Sequence, residues 1–541
     1  MYLRRFGVEK VFGVPGSLIM PIWQNIKSAE LVLCSHEQEA SYIATGFAKM
    51  SKKPVAVLTT GGPGVTNCVS GIAAANLDSV PVIYISGRIA LKSEGRGLRQ
   101  EEGTRDRCYE STEIMKSVTK DSVQIKTIDD AQLKIYQAFK LALCDRRGAV
   151  HLSIPVDLQE MELPDKETER WTEQNGNGSY ESDGYLQLCK LFHYDRRRLF
   201  ILGWGCWLTE TYPLIYKLAE YVHAPMLFTV KAYACMDGSD WVLGKVGYGY
   251  NQILSSYIRK YNPEEVIIFG SSMGERNFSE EFMKDIEKAD IYVYTLDAFS
   301  SGKRDGRIIW HDMNFLVDFP VYEEWKFMQS DLNLLRSIKK CREEQELYFQ
   351  SFSKYSALPK LCRDIRELLD ENTTVTADAG NHLLEIAVNL FPRYKKNLFL
   401  DDGIRAMGSG ICETVGMAFA DCKRRFIAVT GDGCMLMNGN VIYVAKKYHL
   451  PIIFLVINNS SLGRVRVGQM RSGNFIHSDL DHVDYVTYAN AFGIKAFRAD
   501  KVGQCIEKLK YSLELGEPVL IEMQISKDEI PVILQAKGVW N

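Results

Sequence analysis

The sequence predicts three α/β domains, each built around a doubly wound parallel sheet. Along most of its 541 residues, apolar runs of strand length alternate with stretches of helical composition. Many runs end at Gly, Asp or Asn, as strands do where they lead into loops at the carboxyl edge of a parallel sheet. Two polar, charged stretches, 161–182 and about 331–350, separate the three groups. We therefore expect domains at 1–160, 183–325 and 355–541.

Strands are indicated by the same pattern in each domain, a short apolar run rich in β-branched and aromatic residues. Between the strands we expect helices, the clearest at 40–48, where small residues predominate, and at 435–449. The predicted strands are 55–60, 82–86 and 150–154 in the first domain; 199–203, 265–270 and 291–296 in the second; and 373–378, 426–430, 452–457 and 519–525 in the third.

Composition and charge narrow the classes of function. The net charge is −3, with 46% apolar and 25% charged residues, so neither nucleic acid nor a membrane surface is an expected partner. The 13 cysteines are scattered without CxxC pairs, which indicates reduced thiols and a cytoplasmic protein. No apolar run reaches the ~18 residues of a membrane span.

Two strand ends in the third domain predict a metal site. Asp432 follows the predicted strand 426–430, and Asn459 follows 452–457, with helical sequence between them. Such a β-α-β unit makes the strands parallel neighbours, so both side chains reach the same sheet edge. Because Mg²⁺ prefers hard oxygen ligands and phosphate oxygens, we expect Asp432, Asn459 and the carbonyl of Ser461 to bind it.

The run Gly431-Asp432-Gly433, followed after 24 residues by Asn458-Asn459, resembles the cofactor motif of the thiamine diphosphate (ThDP) enzyme superfamily. Its glycines let backbone N–H groups approach a diphosphate closely at a helix start. The resemblance implies that residues of this motif contact the cofactor or its metal ion. They are Gly431, Asp432, Gly433, Cys434 and Asn459.

A second motif, near the other end of the chain, supports the resemblance. His36-Glu37-Gln38 follows the apolar run 31–34 and precedes the helix at 40–48, as in the superfamily segment whose glutamate hydrogen-bonds N1′ of the aminopyrimidine ring. The resemblance implies that Glu37 is this catalytic glutamate. A carboxyl in an apolar pocket has a raised pKa and can exchange a proton near neutral pH. Taken alone, Glu37 would be interpreted as a solvated turn residue.

Three further segments resemble cofactor-binding loops of the superfamily. They are the glycine-rich loop 60–67, the segment 375–382 and the segment 402–410. An ordinary structural role stays open for each: a strand-helix turn, a structural histidine and a core methionine. The residues that the resemblance assigns to cofactor contact are Gly62, Pro63, Asn67, Asn381, His382 and Met407, the last as the bulky group that bends ThDP.

The acetolactate synthase group is the nearest branch, because the matching motifs span nearly the whole chain in the same order. In that branch the middle domain holds FAD as a structural group. Lys231, Arg276 and Asp297 fall at corresponding positions, but Trp204 stands where a glycine is usual. FAD is therefore one alternative, and a middle domain that serves only for packing is the other. Members usually carry a further helix before 12–16, so either the true start lies upstream or the first helix is short.

One departure from that branch affects the predicted substrate. Arg464 stands where a methionine is usual, and Gly468 where a tryptophan shapes the acceptor pocket. A guanidinium favours a carboxylate, phosphate or hydroxyl-rich acceptor, and the lost indole leaves room. We hypothesise an acceptor larger or more anionic than a second pyruvate; alternatively, Arg464 and Arg466 are surface charges on a loop. Gln100 and Lys231 are further candidates for substrate contact.

The resemblance implies a ThDP- and Mg²⁺-dependent carboligase. Such an enzyme decarboxylates a 2-keto acid, with pyruvate the expected donor, and transfers the acyl group to a carbonyl acceptor. The alternatives are a decarboxylase that releases an aldehyde and a non-catalytic ThDP- or flavin-binding subunit. In this superfamily the pyrimidine-binding domain of one subunit faces the pyrophosphate-binding domain of another. The resemblance therefore implies at least a homodimer, in which Glu37 shares a site with Asp432 and Asn459 of a second chain.

Overall fold

The strands of the computed structural model form three groups along the chain. The structure describes residues 1–103, 109–144, 146–163, 196–296, 308–313, 316, 331–352 and 356–536. The strands are β1 (Lys10–Gly13), β2 (Glu30–Leu33), β3 (Val55–Thr59), β4 (Val82–Arg88), β5 (Asp121–Gln124) and β6 (Val150–Pro155); β7 (Arg198–Leu202), β8 (Met226–Phe228), β9 (Val242–Lys245), β10 (Glu265–Phe269), β11 (Asp290–Thr295) and β12 (Ile308–Asp312); and β13 (Thr373–Ala377), β14 (Leu398–Leu400), β15 (Arg425–Gly431), β16 (Ile452–Asn458), β17 (Lys495–Ala499) and β18 (Val519–Gln524).

Helices connect these strands, as parallel pairing requires. The α-helices of the described residues are Tyr2–Arg5, Met20–Asn25, Glu37–Ser51, Pro63–Leu77, Ser111–Lys116, Ile128–Leu143 and Val156–Gln159; Trp204–Leu208, Tyr212–Tyr221, Gln252–Tyr261, Glu280–Asp285 and Leu332–Ser351; and Leu358–Arg366, Asn381–Asn389, Ser409–Ala420, Asp432–Asn438, Val441–Lys447, Gly463–Gln469, Tyr485–Ala491, Val502–Leu515 and Val532–Ala536. Short 3₁₀ turns lie at Leu91–Ser93, Val230–Cys235 and Gly247–Gly249.

Each group of strands makes one six-stranded sheet. The orders are β2-β1-β3-β4-β6-β5, β12-β11-β10-β7-β8-β9 and β14-β13-β15-β16-β18-β17. The pairings are parallel, for example β1 with β3 and β13 with β15. The first and third sheets therefore have the same topology. In each, the second strand forms one edge beside the first strand, and the later strands extend the sheet on the other side of the first. The predicted fold class, three doubly wound parallel α/β sheets, is confirmed.

Each strand predicted from the sequence is present, with its ends shifted by one or two residues. The strands that the sequence pattern missed are mostly short, such as β8 and β14, which have three residues each. The predicted helix at 435–449 is two helices, Asp432–Asn438 and Val441–Lys447. The polar stretch 161–182 lies mostly outside the described residues, as does Asp297.

Two helices of small residues fix the first domain against the third. Glu37–Ser51 crosses Ser409–Ala420 so closely that a Cβ added at Gly46 would lie 1.9 Å from the carbonyl oxygen of Glu413. A Cβ at Gly416 would lie 1.9 Å from the carbonyl oxygen of Ile43. The crossing therefore depends on backbone-to-backbone contact that only glycine permits. Across the described part of the chain, no helix has both the length and the apolar character that a membrane crossing needs.

Candidate functional site

A cavity of about 570 Å³ opens at the carboxyl ends of β13 and β15. After β13 the chain continues to β14 on one side, and after β15 it continues to β16 on the other side. Open α/β sheets bind ligands at such a switch point. We call this space the Asp432 cavity. The predicted site residues that line it are Asn381, His382, Met407, Gly431, Asp432, Gly433, Cys434, Asn459, Ser461 and Arg464.

Asp432 is the first residue of its helix and follows β15 directly. Its Oδ1 accepts the N–H of Gly433 at 2.8 Å, and its Oδ2 accepts the N–H of Ser461 at 3.1 Å. Burial raises the pKa of this carboxyl, while the backbone N–H groups around it lower the pKa. The Tyr485 hydroxyl donates to the carbonyl of Asp432 at 2.8 Å. The backbone of two strand ends thus fixes the carboxylate.

The neighbouring strand brings the other predicted metal ligands to the same edge. β15 and β16 are paired in parallel up to Gly431 and Ile457, so the loops that follow them start side by side. Asn459 and Ser461, in the second loop, line the Asp432 cavity together with Asp432. Three oxygen-bearing residues therefore converge where the sequence predicted a magnesium site.

Asn381 and His382 begin the helix after β13 and face the same cavity. The Oδ1 atom of Asn381 and the Nε2 atom of His382 are buried and have no hydrogen-bond partner among the described residues. Burial lowers the pKa of His382 to about 4, so the imidazole is neutral near pH 7. Buried polar atoms are nearly always partnered. These two atoms therefore indicate a polar ligand in the cavity.

Close packing around the two glycine-rich turns shapes the cavity wall. A Cβ added at Gly433 would lie 2.8 Å from Met407 Cε and 2.8 Å from Leu462 Cδ2. A Cβ at Gly380 would lie 2.5 Å from the ring of His382. Met407 thus reaches the turn that carries Asp432, although it belongs to the loop after β14.

A second group of predicted residues lies in the first domain. Glu37 begins the helix Glu37–Ser51, and Nδ1 of His36 caps that helix by accepting the N–H of Gln38 at 3.1 Å. The Nδ2 of Asn67 donates to Oε2 of Glu37 at 3.0 Å. The amide holds the carboxyl in place at the carboxyl edge of the first sheet.

The glycine-rich loop after β3 lies beside this pair. Gly62 has a φ of +68°, and its N–H donates to Oε1 of the buried Glu102 at 2.9 Å. Pro63 starts the helix that carries Asn67. A Cβ added at Gly62 would lie 3.2 Å from the side chain of Gln100. Gln100 and the predicted pyrimidine-contacting residues therefore form one cluster.

Within one chain these two groups do not share a cavity. The residues that line the Asp432 cavity come from the second and third domains, and none of the described residues of the first domain is among them. The structure thus brings together the predicted diphosphate and metal residues, and separately the predicted aminopyrimidine residues. Within one chain, the Asp432 cavity and the cluster around Glu37 therefore do not form a single site.

Comparison with protein families matches both halves. The profile of the thiamine pyrophosphate enzyme N-terminal TPP binding domain matches residues 1–107, and that of the C-terminal TPP binding domain matches residues 378–523. Thiamine pyrophosphate is another name for ThDP. The first match contains Glu37 and Asn67, and the second contains Asp432.

Relatives match almost the whole chain. The probable acetolactate synthase large subunit of Methanocaldococcus jannaschii is 27% identical over 97% of this chain and 91% of its own length. The acetolactate synthase large subunit of Lactococcus lactis is 27% identical over 98% and 92%, and the acetolactate synthase isozyme 2 large subunit of Escherichia coli is 24% identical over 97% and 94%. Both ends of the chain thus match ThDP-binding domains, and almost its whole length resembles acetolactate synthase large subunits.

The two arginines of the helix Gly463–Gln469 have different surroundings. Arg466 is buried and forms ion pairs with Asp479 at 2.7 Å and Asp528 at 3.0 Å. Arg464 is exposed on the helix Gly463–Gln469 and lines the Asp432 cavity. The interpretation of both as surface charges therefore does not hold for Arg466.

Several residues of the Asp432 cavity were not predicted from the sequence. Arg405, Tyr248, Glu385 and Glu529 all line it. Glu385 lies one helical turn after Asn381 and His382, a spacing that places it on the same helix face. Arg405 stands in the segment 402–410. Tyr248 comes from the second domain, and no sequence pattern signals its position.

Lys231 lies outside the Asp432 cavity. Its ammonium contacts Asp78 and lies 3.6 Å from Asp401 Oδ1. It borders another cavity, of about 370 Å³, at the carboxyl edge of the second sheet. We call this the central-domain cavity; Trp204, Gly270 and Arg276 also line it.

Proposed function

We propose that this ThDP enzyme is an acetolactate synthase-like carboligase that uses Mg²⁺. It decarboxylates a 2-keto acid, with pyruvate the expected donor, and transfers the acyl group to a carbonyl acceptor. The observation that carries the proposal is the convergence of metal-binding oxygens and unpartnered polar atoms on one cavity. The names of the relatives support a carboligase over other reactions of the superfamily.

The residues of the Asp432 cavity fit ThDP and Mg²⁺. Asp432, Asn459 and Ser461 supply the hard oxygens that Mg²⁺ prefers. The polar atoms of Asn381 and of the neutral His382, which lack partners in the described chain, suit the diphosphate oxygens or the waters around them. The glycine-rich turn before the helix Asp432–Asn438 leaves backbone N–H groups accessible to the same ligand.

Glu37, in the first domain, is the proposed acid-base residue. Its carboxyl, held by the Asn67 amide, would exchange a proton with the N1′ atom of the aminopyrimidine ring. Gly62, Pro63 and Gln100 would surround that ring. Met407, which lies against Gly433, would set the bend between the two ends of the cofactor.

In the overall reaction the bond between the keto carbon and the carboxylate breaks, and CO₂ leaves. ThDP, when bound, supplies the electron sink for the electron pair that remains. A new carbon–carbon bond then forms to the carbonyl carbon of the acceptor, whose oxygen takes up one proton. The chain's own residues orient the reactants and exclude water from the cavity.

The test is ThDP uptake together with product analysis. Calorimetry should show ThDP binding that depends on Mg²⁺, and pyruvate should give CO₂ together with acetolactate or another carboligation product by mass analysis. Acetaldehyde as the main product would favour the decarboxylase instead. ThDP binding with no turnover would favour the non-catalytic subunit, and no ThDP binding in the presence of Mg²⁺ would refute the assignment.

We further propose a homodimer whose sites form between chains. The Asp432 cavity lacks described residues of the first domain, so Glu37 reaches it only from a second copy. The helix Asp432–Asn438 exposes Leu436 and Met437, at 54% and 61% of their surface, which supports a covering partner on this side. A homotetramer would need a second interface, between two such dimers.

A complementation experiment distinguishes shared sites from sites within one chain. Glu37→Gln and Asp432→Asn variants, each inactive alone, are mixed under conditions that exchange subunits. If sites are shared, a heterodimer contains one site with both native residues, and activity returns. If each site lies within one chain, no mixture regains activity. Native mass spectrometry of the mixture, with one variant carrying a tag, serves as the control for exchange.

The two turns that flank the central-domain cavity pack closely against each other. The N–H of Gly205, after β7, donates to the carbonyl of Gly270, after β10, at 2.9 Å. A Cβ at Gly203 would lie 2.4 Å from that carbonyl. These two turns flank the switch point where a dinucleotide would bind, and Nε1 of Trp204 donates across it to the Asp78 carbonyl at 2.8 Å. We propose a flavin-free domain, so the purified protein should lack flavin absorbance, also after incubation with FAD.

We also propose limits for the three domains and a cellular location. We assign the pyrimidine-binding domain to 1–160, the central domain to 183–325 and the pyrophosphate-binding domain to 355–541. The cysteines that the structure describes are free thiols, which supports a cytoplasmic location. Small-molecule substrates, a 2-keto acid and a carbonyl compound, are the expected partners.

A further inference from the structure

Two arginines of the Asp432 cavity carry charges that no acid of the described chain neutralises. Arg464 is exposed at the cavity and has no hydrogen-bond or ion-pair partner among the described residues. Arg405 donates from Nη2 to the Tyr248 hydroxyl at 3.0 Å, and this partner is uncharged. A third arginine, Arg276, differs because it is paired with Asp402. The cavity therefore presents two uncompensated guanidinium groups.

The acidic residues of the cavity are engaged elsewhere. Oε1 of Glu385 accepts the N–H of Val532 at 2.9 Å, and its Oε2 accepts from the Asn389 amide at 2.7 Å. Oε2 of Glu529 accepts from the Ser356 hydroxyl at 2.7 Å. Burial raises the pKa of both carboxyls, that of Glu385 to about 8. Near neutral pH Glu385 therefore offers little negative charge to the arginines.

The proposed cofactor does not need both arginines. The charges of the ionised diphosphate, the thiazolium ring, Mg²⁺ and the Asp432 carboxylate sum to about −1. One arginine would balance that charge, and the second would leave the site with excess positive charge. At least one guanidinium group is therefore available to a substrate, and guanidinium binds carboxylate or phosphate through paired hydrogen bonds.

The donor's carboxylate is the wrong partner for them. It becomes neutral CO₂ during the reaction, so its charge is greatest in the ground state. A guanidinium bound to it would stabilise the ground state more than the transition state and would slow decarboxylation. The group that the arginines hold must instead keep its charge throughout the reaction. Only the acceptor, or a part of it remote from the carbonyl, meets that condition.

We propose that Arg464 and Arg405 bind an anionic group, a carboxylate or a phosphate, on the carbonyl acceptor. This inference rests on the proposed carboligase function. It names the acceptor class: a keto or aldehyde compound that carries a negative charge away from the reacting carbonyl. The new bond forms at the carbonyl carbon as in the general reaction, and the anionic group takes no part in bond making.

Matched pairs of acceptors test this. The holoenzyme with Mg²⁺ and ThDP is given pyruvate and either D-glyceraldehyde or D-glyceraldehyde 3-phosphate, and in a second arm either butanal or 4-oxobutanoate. We expect kcat/KM for at least one charged member to exceed that of its uncharged partner about tenfold or more. The arm that shows the preference distinguishes phosphate from carboxylate. A second measurement uses unreactive probes: glycerol 3-phosphate or succinate should inhibit carboligation, and glycerol should not.

Variants of the two arginines test whether these residues cause the preference for charged acceptors. In Arg464→Gln and Arg405→Gln the ratio of kcat/KM between charged and uncharged acceptors should fall by about tenfold or more, and Arg464→Lys should keep part of it. The ratio is taken within one variant, so a general loss of activity does not affect it. Arg336→Gln, which removes an exposed arginine on the helix Leu332–Ser351, is the matched control and should leave the ratio unchanged.

Equal efficiencies within both pairs, with no inhibition by the charged probes, would overturn the inference, while formation of a carboligation product from pyruvate upholds the proposed function. A ratio that is unchanged in both arginine variants would overturn the assignment to these residues. Absence of any carboligation product would instead refute the carboligase itself, and the inference with it.

Discussion

At the scale of single residues, Glu37 has the most specific of the proposed chemical roles. In Glu37→Gln the amide still hydrogen-bonds Asn67 but no longer exchanges a proton with the cofactor. We expect kcat to fall by about 100-fold or more, with ThDP uptake largely retained. Steady-state rates and calorimetry on the same preparation measure both. Glu30→Gln, an exposed residue of β2 paired with Lys10, is the control, and full turnover in Glu37→Gln would show that the role is misassigned.

Glu385 predicts a dependence of stability on pH. Burial raises its pKa to about 8, above the ~4.3 of an unfolded chain, so the folded state binds the proton more tightly. Its contribution to the free energy of unfolding is complete below the unfolded pKa and is lost as pH rises through the folded pKa. Between about pH 5 and 8 the loss is at most about 1.4 kcal/mol per pH unit.

Glu385→Gln removes this contribution because its amide does not titrate. Urea unfolding of the protein without cofactor, at several pH values, should show the variant gaining on wild type as pH rises. The exposed Glu371→Gln should follow wild type. A constant difference between Glu385→Gln and wild type from pH 5 to 8 would contradict the buried, protonated carboxyl.

The sequence predicted the site residues that follow strands and missed those placed by tertiary contact. Asp432 and Asn459 could be found because a strand end fixes where its next residue lies. Arg405 and Tyr248 belong to different domains and are hydrogen-bonded to each other. Neither residue spacing nor composition predicts this contact. Their convergence at the cavity depends on how the second domain packs against the third.

At the scale of elements, the crossing of Glu37–Ser51 and Ser409–Ala420 fixes the two half-sites that one chain contributes to the proposed dimer. The first helix begins at Glu37, and the second begins just after Met407. The crossing depends on Gly46, because the neighbouring carbonyl of Glu413 leaves no room for a side chain. The small residues of 40–48 predicted a closely packed helix, but its partner helix could not be read from the sequence.

Gly46→Ala should separate these helices. The added methyl group meets backbone, which cannot move aside as a flexible side chain can. We expect a loss of about 1–3 kcal/mol in the free energy of unfolding, although alanine favours a helix more than glycine does. Gly503→Ala is the control, since a Cβ there meets nothing within 4 Å, and it should be neutral or stabilising by up to about 1 kcal/mol. Equal urea midpoints for the two variants would contradict the close crossing.

At the scale of the whole molecule, a buried charge cluster joins all three domains. Lys49 Nζ lies 2.6 Å from Asp78 Oδ2 and 2.7 Å from Glu413 Oε2. Lys231 of the second domain contacts Asp78 and also lies near Asp401 of the third. Burial raises the pKa of Glu413, so one of the three acids holds a proton readily. Two lysines and two ionised acids then leave the interface neutral.

Lys49→Met should be strongly destabilising. It leaves Asp78 and Glu413 buried with one cation fewer, which costs about 3–5 kcal/mol. Protonation of Glu413 relieves part of this cost at low pH, so the deficit should grow as pH rises. Lys53→Met, which breaks an exposed pair with Glu9, should cost less than about 1 kcal/mol. Urea unfolding at pH 6 and pH 8.5 measures both, and similar losses for the two variants would contradict the cluster's role.

The first and third sheets have the same strand order, and the turns that carry the predicted site residues follow strands of these two sheets. Duplication of one unit within a gene would produce such a repetition. Under the proposed function, each copy would serve one end of an elongated coenzyme: one would supply the acid that acts on the ring, and the other the ligands of the metal. A change of acceptor would then need substitutions only in the segment after β16, with Glu37 unchanged.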